Sequence, residues 1–325
     1  MCHRPIPEAL WCPSGSPMGA TPLLSARPVD SVVGAVSDWH DRTMTEPGER
    51  PAPASTSSSR SDRVPRLLGI GLIAVAVYVA VAAGGGALVD ALGAADADPA
   101  SELALTHLIP LPLAVAGGLV FARVSGWWAD VWSDPPLSRS TPRRLWWWLV
   151  PVVVAVQIAA LVGEVHWPLL SVAYVAVGVL AYLLVGLGEE LFFRGILLES
   201  VRAHHGETVV LLTTALGFGL AHSVGSLMGG VPISTIAFQV GVTSMEGVLF
   251  YAALRVTGTL WAPITLHGLG DLARWLAVPG SHGDAPPLAT GTQVAMTVLA
   301  AAILLSVLCE DRRRRKPRIP AAAGA

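Results

Sequence analysis

The chain has 325 residues and a formal net charge of −2 at pH 7, with 53% hydrophobic residues, only 14% charged ones and a mean hydropathy of +0.58. An ordinary soluble domain is less apolar than this, so the composition excludes a soluble enzyme and points to an integral membrane protein. A near-neutral charge balance offers no broad basic surface, and no nucleic-acid partner is expected.

The first 64 residues stand apart, being rich in Pro, Ser, Thr and Arg ("TEPGERPAPASTSSSRSDR") with no sustained apolar periodicity. A disordered N-terminal cytoplasmic tail is expected there. It lacks the basic, apolar and small-residue order of a cleaved secretory signal, so the first spanning helix is expected to serve as an uncleaved one. Met44 opens a shorter reading in which residues 1–43 are not translated. A transmembrane domain over residues 65–310 and a basic cytoplasmic tail over 311–325 ("DRRRRKPR" and beyond) complete the expected domains.

A spanning helix needs roughly 20 mainly apolar residues. About eight segments approach that length, near 67–90, 103–122, 145–163, 168–203, 207–226, 232–254, 259–277 and 291–309. The expected fold is therefore an all-α, polytopic transmembrane helix bundle of about eight spans. The fourth segment is too long for a simple span, and a bend near Gly186 and Gly188 or an extension into the cytoplasm is expected.

Arginines set the orientation, because positive charge stays on the cytoplasmic side. Arg60, Arg63 and Arg66 precede segment one; Arg123, Arg139, Arg143 and Arg144 separate segments two and three; Arg202 follows four and Arg255 follows six. The intervening loops carry Asp90, Asp96, Asp98, Glu102, Glu164 and Asp284, with Arg274 as the one exception. Both termini are thus expected in the cytoplasm of a multi-pass protein of the cell membrane, of bacterial type from its Arg-over-Lys, Ala- and Gly-rich composition. The tryptophans at "WWADVW" and "WWW" read as interfacial anchors, with the strip 125–145 along the membrane surface. Cys2, Cys12 and Cys309 show neither metal-ligand spacing nor a disulfide framework.

Polar residues inside the apolar segments are costly in a bilayer and become functional candidates by default. Segment four carries Glu189, Glu190 and Arg194; five carries His222; six carries Gln239 and Glu246; seven carries His267 and Asp271. Counted at 1.5 Å per residue from the cytoplasmic side, Glu189 lies roughly 20 Å deep, His222 roughly 22 Å and His267 roughly 14 Å. A tilt of segment seven would bring a carboxylate and two imidazoles to one level. Residues four apart share a helix face, so Glu190 can pair with Arg194, leaving Glu189 about 100° around the helix to face a neighbour. Phe218 and His222 form a second such pair and His267 and Asp271 a third, in which the Asp271 carboxylate can orient the His267 imidazole or share its proton. Glu246 belongs to no recognised pattern; a bond to Thr243 or Arg255, or a place lining the water path to the site, is open to it, and the structural role is expected.

Together these residues carry a resemblance. "EELFFR" fits EExxxR, "FGLAH" fits FxxxH and "HGLGD" fits HxxxN/D, in the order found in the CPBP family of intramembrane proteases, the CAAX prenyl proteases and bacteriocin-processing, Abi-type proteins. The chain resembles a member over residues 145–280. The resemblance implies an intramembrane endopeptidase that hydrolyses a peptide bond in a membrane protein or peptide substrate within the lipid bilayer. Carried over by position, Glu189 activates water, His222 and His267 complete the centre, and Glu190, Arg194 and Asp271 support it. Two chemistries stay open at this point: a metalloprotease in which Glu189, His222 and His267 bind zinc, and a metal-free glutamate mechanism. Two other classes remain beside them, a non-catalytic scaffold or immunity protein and a proton-coupled transporter.

Overall fold

The computed structural model describes residues 62–134, 142–278 and 287–315, all within one compact unit. The expected tail over its first 61 residues, Arg139, Asp284 and the end of the basic tail lie outside them. The described residues form eight principal helices: α1 (Leu68–Ala91), α2 (Pro99–Ser125), α3 (Arg144–Gly163), α4 (Val172–Arg202), α5 (Glu207–Met228), α6 (Ile233–Thr257), α7 (Trp261–Ala277) and α8 (Pro287–Arg315). Seven are long and apolar enough to cross a membrane, and α7, at 17 residues, is the short one. Helices are the natural form here, because in hydrocarbon each backbone N–H and C=O must find its partner within the segment. The chain is a multi-pass membrane protein.

Local signals set several helix ends. Asp98 opens α2: its carboxylate accepts from the backbone N–H of Ala100 (3.1 Å) and Ser101 (3.3 Å), and Pro99 fills the first position, where no N–H is needed. The Ser101 hydroxyl also donates to Asp98 (2.6 Å), and these bonds hold the Asp98 carboxyl below its usual range. The helix therefore starts four residues earlier than the apolar pattern alone implies. It is interrupted at Ile109, where Pro110 begins its second half. At α5 the capping residue is Gly206, which has no side chain to offer, and Asp311 of α8 accepts from the Thr208 N–H instead (2.8 Å).

The irregularity expected in α4 falls elsewhere than its glycines. The helix runs straight through Gly186 and Gly188 and turns π-helical at Leu191–Leu197, a wider turn in which every residue is buried. Such bulges recur at functional sites because they redirect side chains without ending the helix. Gly186 and Gly188 serve packing: a Cβ on Gly186 would sit 2.7 Å from Ile264 O and from Gly268 N, and one on Gly268 would sit 2.8 Å from Tyr182 O. Backbone meets backbone where α4 crosses α7. α7 also packs on α3, α5 packs chiefly on α6, and α8 lies against α3 and α6.

The tryptophan-rich strip is only partly a surface anchor. Trp128 and Trp148 are exposed, but Trp127 and Trp147 are fully buried, the former donating through its indole N–H to Val64 O (3.0 Å). The segment preceding α1 is thereby tied to the end of α2, helped by Arg63 N–H on Ser125 O (2.9 Å). Around this point lies an ion network. Arg66 reaches Asp62 (2.8 Å), Asp130 (2.5 Å) and Glu199 (2.8 Å); Arg202 reaches Glu207 (2.9 Å), Asp134 (3.2 Å) and Glu199 (3.3 Å). Arg255 pairs with Asp134, and the Tyr251 hydroxyl donates to Glu207. Burial alone would lower the Arg66 guanidinium, but the bonds to Asp62 and Asp130 and the nearby carboxylate charges outweigh it and raise it. The network joins α4, α5 and α6 at one end of the bundle, beyond the level of the acidic pair.

Gly268→Val should force α4 and α7 apart, since the new methyl groups meet backbone rather than a movable side chain. The expected cost is about 2 kcal/mol or more, read as a lower thermal unfolding midpoint of the purified protein in detergent. A second check is Asp311→Ala, which should cost about 1 kcal/mol through loss of the cap on α5.

Candidate active site

Glu189 and Glu190 end the regular part of α4, just before the π turn. Glu190 and Arg194 are both wholly buried, and Arg194 Nη1 donates to Glu190 Oε1 at 2.7 Å. The guanidinium lies 4.2 Å above the Phe218 ring and 5.4 Å from that of Phe250, so aromatic faces from α5 and α6 complete the cation's surroundings. Two further nitrogens of Arg194, Nε and Nη2, find no protein acceptor among the described residues.

His267, on α7, is brought to the same carboxylate. Its Nδ1 lies 3.0 Å from Glu190 Oε1 and its Nε2 lies 3.1 Å from Asp271 Oδ2, one turn on. Phe250 stacks on the imidazole (4.8 Å, 18° between planes). Carboxylates on both ring nitrogens call for a proton on each, which makes the ring a cationic double donor.

His222, on α5, is arranged differently. Its Nδ1 donates to Phe218 O (2.9 Å), so in the neutral ring Nε2 carries the lone pair. That Nε2 stands 3.7 Å from Glu189 Oε2, and His267 Nε2 stands 3.7 Å from the same oxygen. The distances are too long for hydrogen bonds. Glu189 Oε2 is buried without a hydrogen-bond partner, yet the side chains of Glu189 (18% exposed) and His222 (27%) border open space. A single water between these groups would satisfy all of them.

The structure thus brings Glu189, Glu190, Arg194, His222, His267 and Asp271 into one cluster drawn from α4, α5 and α7. The motif logic linked the imidazoles to Glu189 and left Glu190 to Arg194, whereas Glu190 also takes His267. Sequence reasoning missed Arg274, whose Nη1 donates to Asp271 Oδ1 (2.8 Å) and whose Nη2 donates to Glu246. Glu246 therefore pairs with Arg274, rather than with Thr243 or Arg255. The available signal was the charge pattern, in which Arg274 broke the positive-inside rule three residues after Asp271. Gln239 accepts from the Ser226 hydroxyl (2.6 Å), tying α5 to α6. Of the glycines around His222, Gly219 sits against Val240 O and Ser244 and is needed for close packing, while Gly225 has open space beside it.

A zinc ion held by Glu189, His222 and His267 does not fit this arrangement. Both ring nitrogens of His267 are engaged by carboxylates, so neither offers a lone pair. Among the described residues no three His, Cys, Asp or Glu side chains converge as a metal site.

These features define a class: a membrane-spanning helix bundle with a buried acid and histidine cluster. Residues 169–273 match the family model described as Type II CAAX prenyl endopeptidase Rce1-like. The matched stretch contains all three motifs, from Glu189 to Asp271, and the family agrees with the one that those motifs resemble. The match supports a CAAX-type intramembrane endopeptidase in general. No curated protein and no solved structure matches the chain significantly.

Arg194→Ala should strip the guanidinium from wholly buried Glu190 and leave its charge to His267, at a cost of about 3–5 kcal/mol. Chemical or thermal unfolding in detergent reads this loss, and adding Glu190→Gln should recover part of it.

Proposed function

We propose that the protein is a metal-free, glutamate-dependent intramembrane endopeptidase acting on an extended segment of a membrane-associated protein or peptide. The observation that carries the proposal is the position of Glu189 Oε2, buried and unbonded, 3.7 Å from each of two imidazole nitrogens. A water there gives one hydrogen bond to Glu189 and one to the lone pair of His222 Nε2, so that its oxygen faces the substrate carbonyl.

As the water oxygen attacks the carbonyl carbon, its proton passes to Glu189. The oxyanion is stabilised by the nearby positive charge of the doubly protonated His267, whose two N–H groups are held by Glu190 and Asp271. Collapse breaks the C–N bond, and Glu189 returns its proton to the leaving nitrogen.

Three results test this. Glu189→Gln, nearly isosteric, should abolish cleavage while folding normally; comparison of new peptide termini in membranes of cells making the wild type or this variant, at matched levels, reads the outcome. Termini present only with the wild type name the substrate, and identical patterns overturn the protease reading in favour of a scaffold. His222→Phe should lower the rate by about 10²–10⁴-fold. Cleavage should also survive a zinc chelator; loss on chelation with recovery on adding zinc would overturn the metal-free mechanism.

A further inference from the structure

The cluster continues beyond the residues of the three motifs. From Arg194 it runs through Glu190, His267, Asp271 and Arg274 to Glu246, six groups of alternating charge on α4, α7 and α6. Each positive group lies between or beside carboxylates, so the chain of contacts is neutral as a whole, and Glu189 is the carboxylate left outside it. Building on the proposed peptidase chemistry, we infer that Arg274 and Glu246 are positioning residues for His267, acting through Asp271.

The two oxygens of Asp271 have separate tasks. Oδ2 faces His267 Nε2 at 3.1 Å and Oδ1 accepts from Arg274 Nη1 at 2.8 Å, so the carboxylate cannot rotate away from the imidazole without giving up the guanidinium. Arg274 itself is 39% exposed and near the end of a short helix, where a long side chain alone would sample many rotamers. Its second terminal nitrogen is held by Glu246, which comes from α6 and is largely buried. A planar fork with nitrogens fixed in relation to each other can grip two carboxylates at once, which a lysine cannot. Counting from the α6 C-terminus, Glu246 sits roughly 17 Å along the helix, at a depth where an isolated charge is costly. A simpler role is thus available, in which Arg274 merely neutralises Glu246, and the test has to separate the two.

Glu246→Gln combined with Arg274→Gln removes both charges and leaves no unpaired carboxylate at position 246. With the full-length protein in detergent or proteoliposomes, the probe is an internally quenched peptide spanning the cleavage site found in wild-type membranes. The expected result is an unchanged thermal unfolding midpoint, a kcat lower by about tenfold to a hundredfold and a KM near that of the wild type. In an Asp271→Ala background the same pair of substitutions should have no further effect, since they act through the missing carboxylate. Wild-type kcat in the folded double variant, or an additive loss in the Asp271→Ala background, overturns the inference. Should the double variant fold poorly, Glu246→Gln alone leaves Arg274 on Asp271 but releases its second nitrogen; a kcat fall of about threefold at constant KM is then expected, and an unaltered kcat overturns it. Glu189→Gln measured alongside keeps the two proposals apart: cleavage that survives Glu189→Gln defeats the glutamate mechanism itself, whereas cleavage lost there but intact in the double variant defeats this inference alone.

Discussion

A charge in the apolar interior must be paired, and the bond between Glu190 and Arg194 is the pairing on which the rest of the site depends. Both side chains are wholly buried, where an isolated ion is expensive enough to unfold the protein or lose its charge. Once Arg194 fixes one oxygen of Glu190, that carboxylate can hold His267. His267 then holds Asp271 on its own helix, and Arg274 carries the contacts on to Glu246 of α6. The electrostatics therefore constrain the packing of α4, α5, α6 and α7 as well as the chemistry proposed among them.

Those contacts need close helices, and the backbone supplies the closeness. Gly186 and Gly268 let α4 and α7 meet main chain to main chain, one residue from His267 and a turn before Glu189. Gly219 does the same for α5 against α6, three residues before His222. Small residues are favoured at such crossings because lipid gives apolar helices no solvent-driven reason to associate, so van der Waals fit and polar bonds carry the interface. At one end of the bundle the arginine and carboxylate network around Arg66, Arg202 and Arg255 joins α4, α5 and α6 again. The site is thus held by glycine contacts at its own level and by ion pairs beyond it.

Much of this was legible in the residue pattern. Apolar length announces spanning helices, because the bilayer sets how many residues a span needs, and the i, i+4 spacing of Glu190 and Arg194 announces a shared face. The same reasoning put the irregularity of α4 at its glycines, whereas the chain turns π-helical over Leu191–Leu197. Glycine permits a bend but does not require one, and here its missing side chain is used for contact. Trp127 and Trp147 were read as interfacial and are fully buried. An aromatic cluster near an apolar segment has the same composition whether it faces headgroups or a folded-back loop.

What the sequence determined by itself is the number and kind of helices and the inventory of charges inside them, since both follow from local composition and from the cost of polar groups in lipid. Only the tertiary structure decided the partners. That Glu190 rather than Glu189 takes His267, that Asp271 divides its oxygens between His267 and Arg274, and that Glu246 answers Arg274 from another helix all depend on crossings between segments far apart in the chain. A helix pattern gives each side chain an angle about its own axis, but distances between helices are set by packing, and charge pairing is decided by distance.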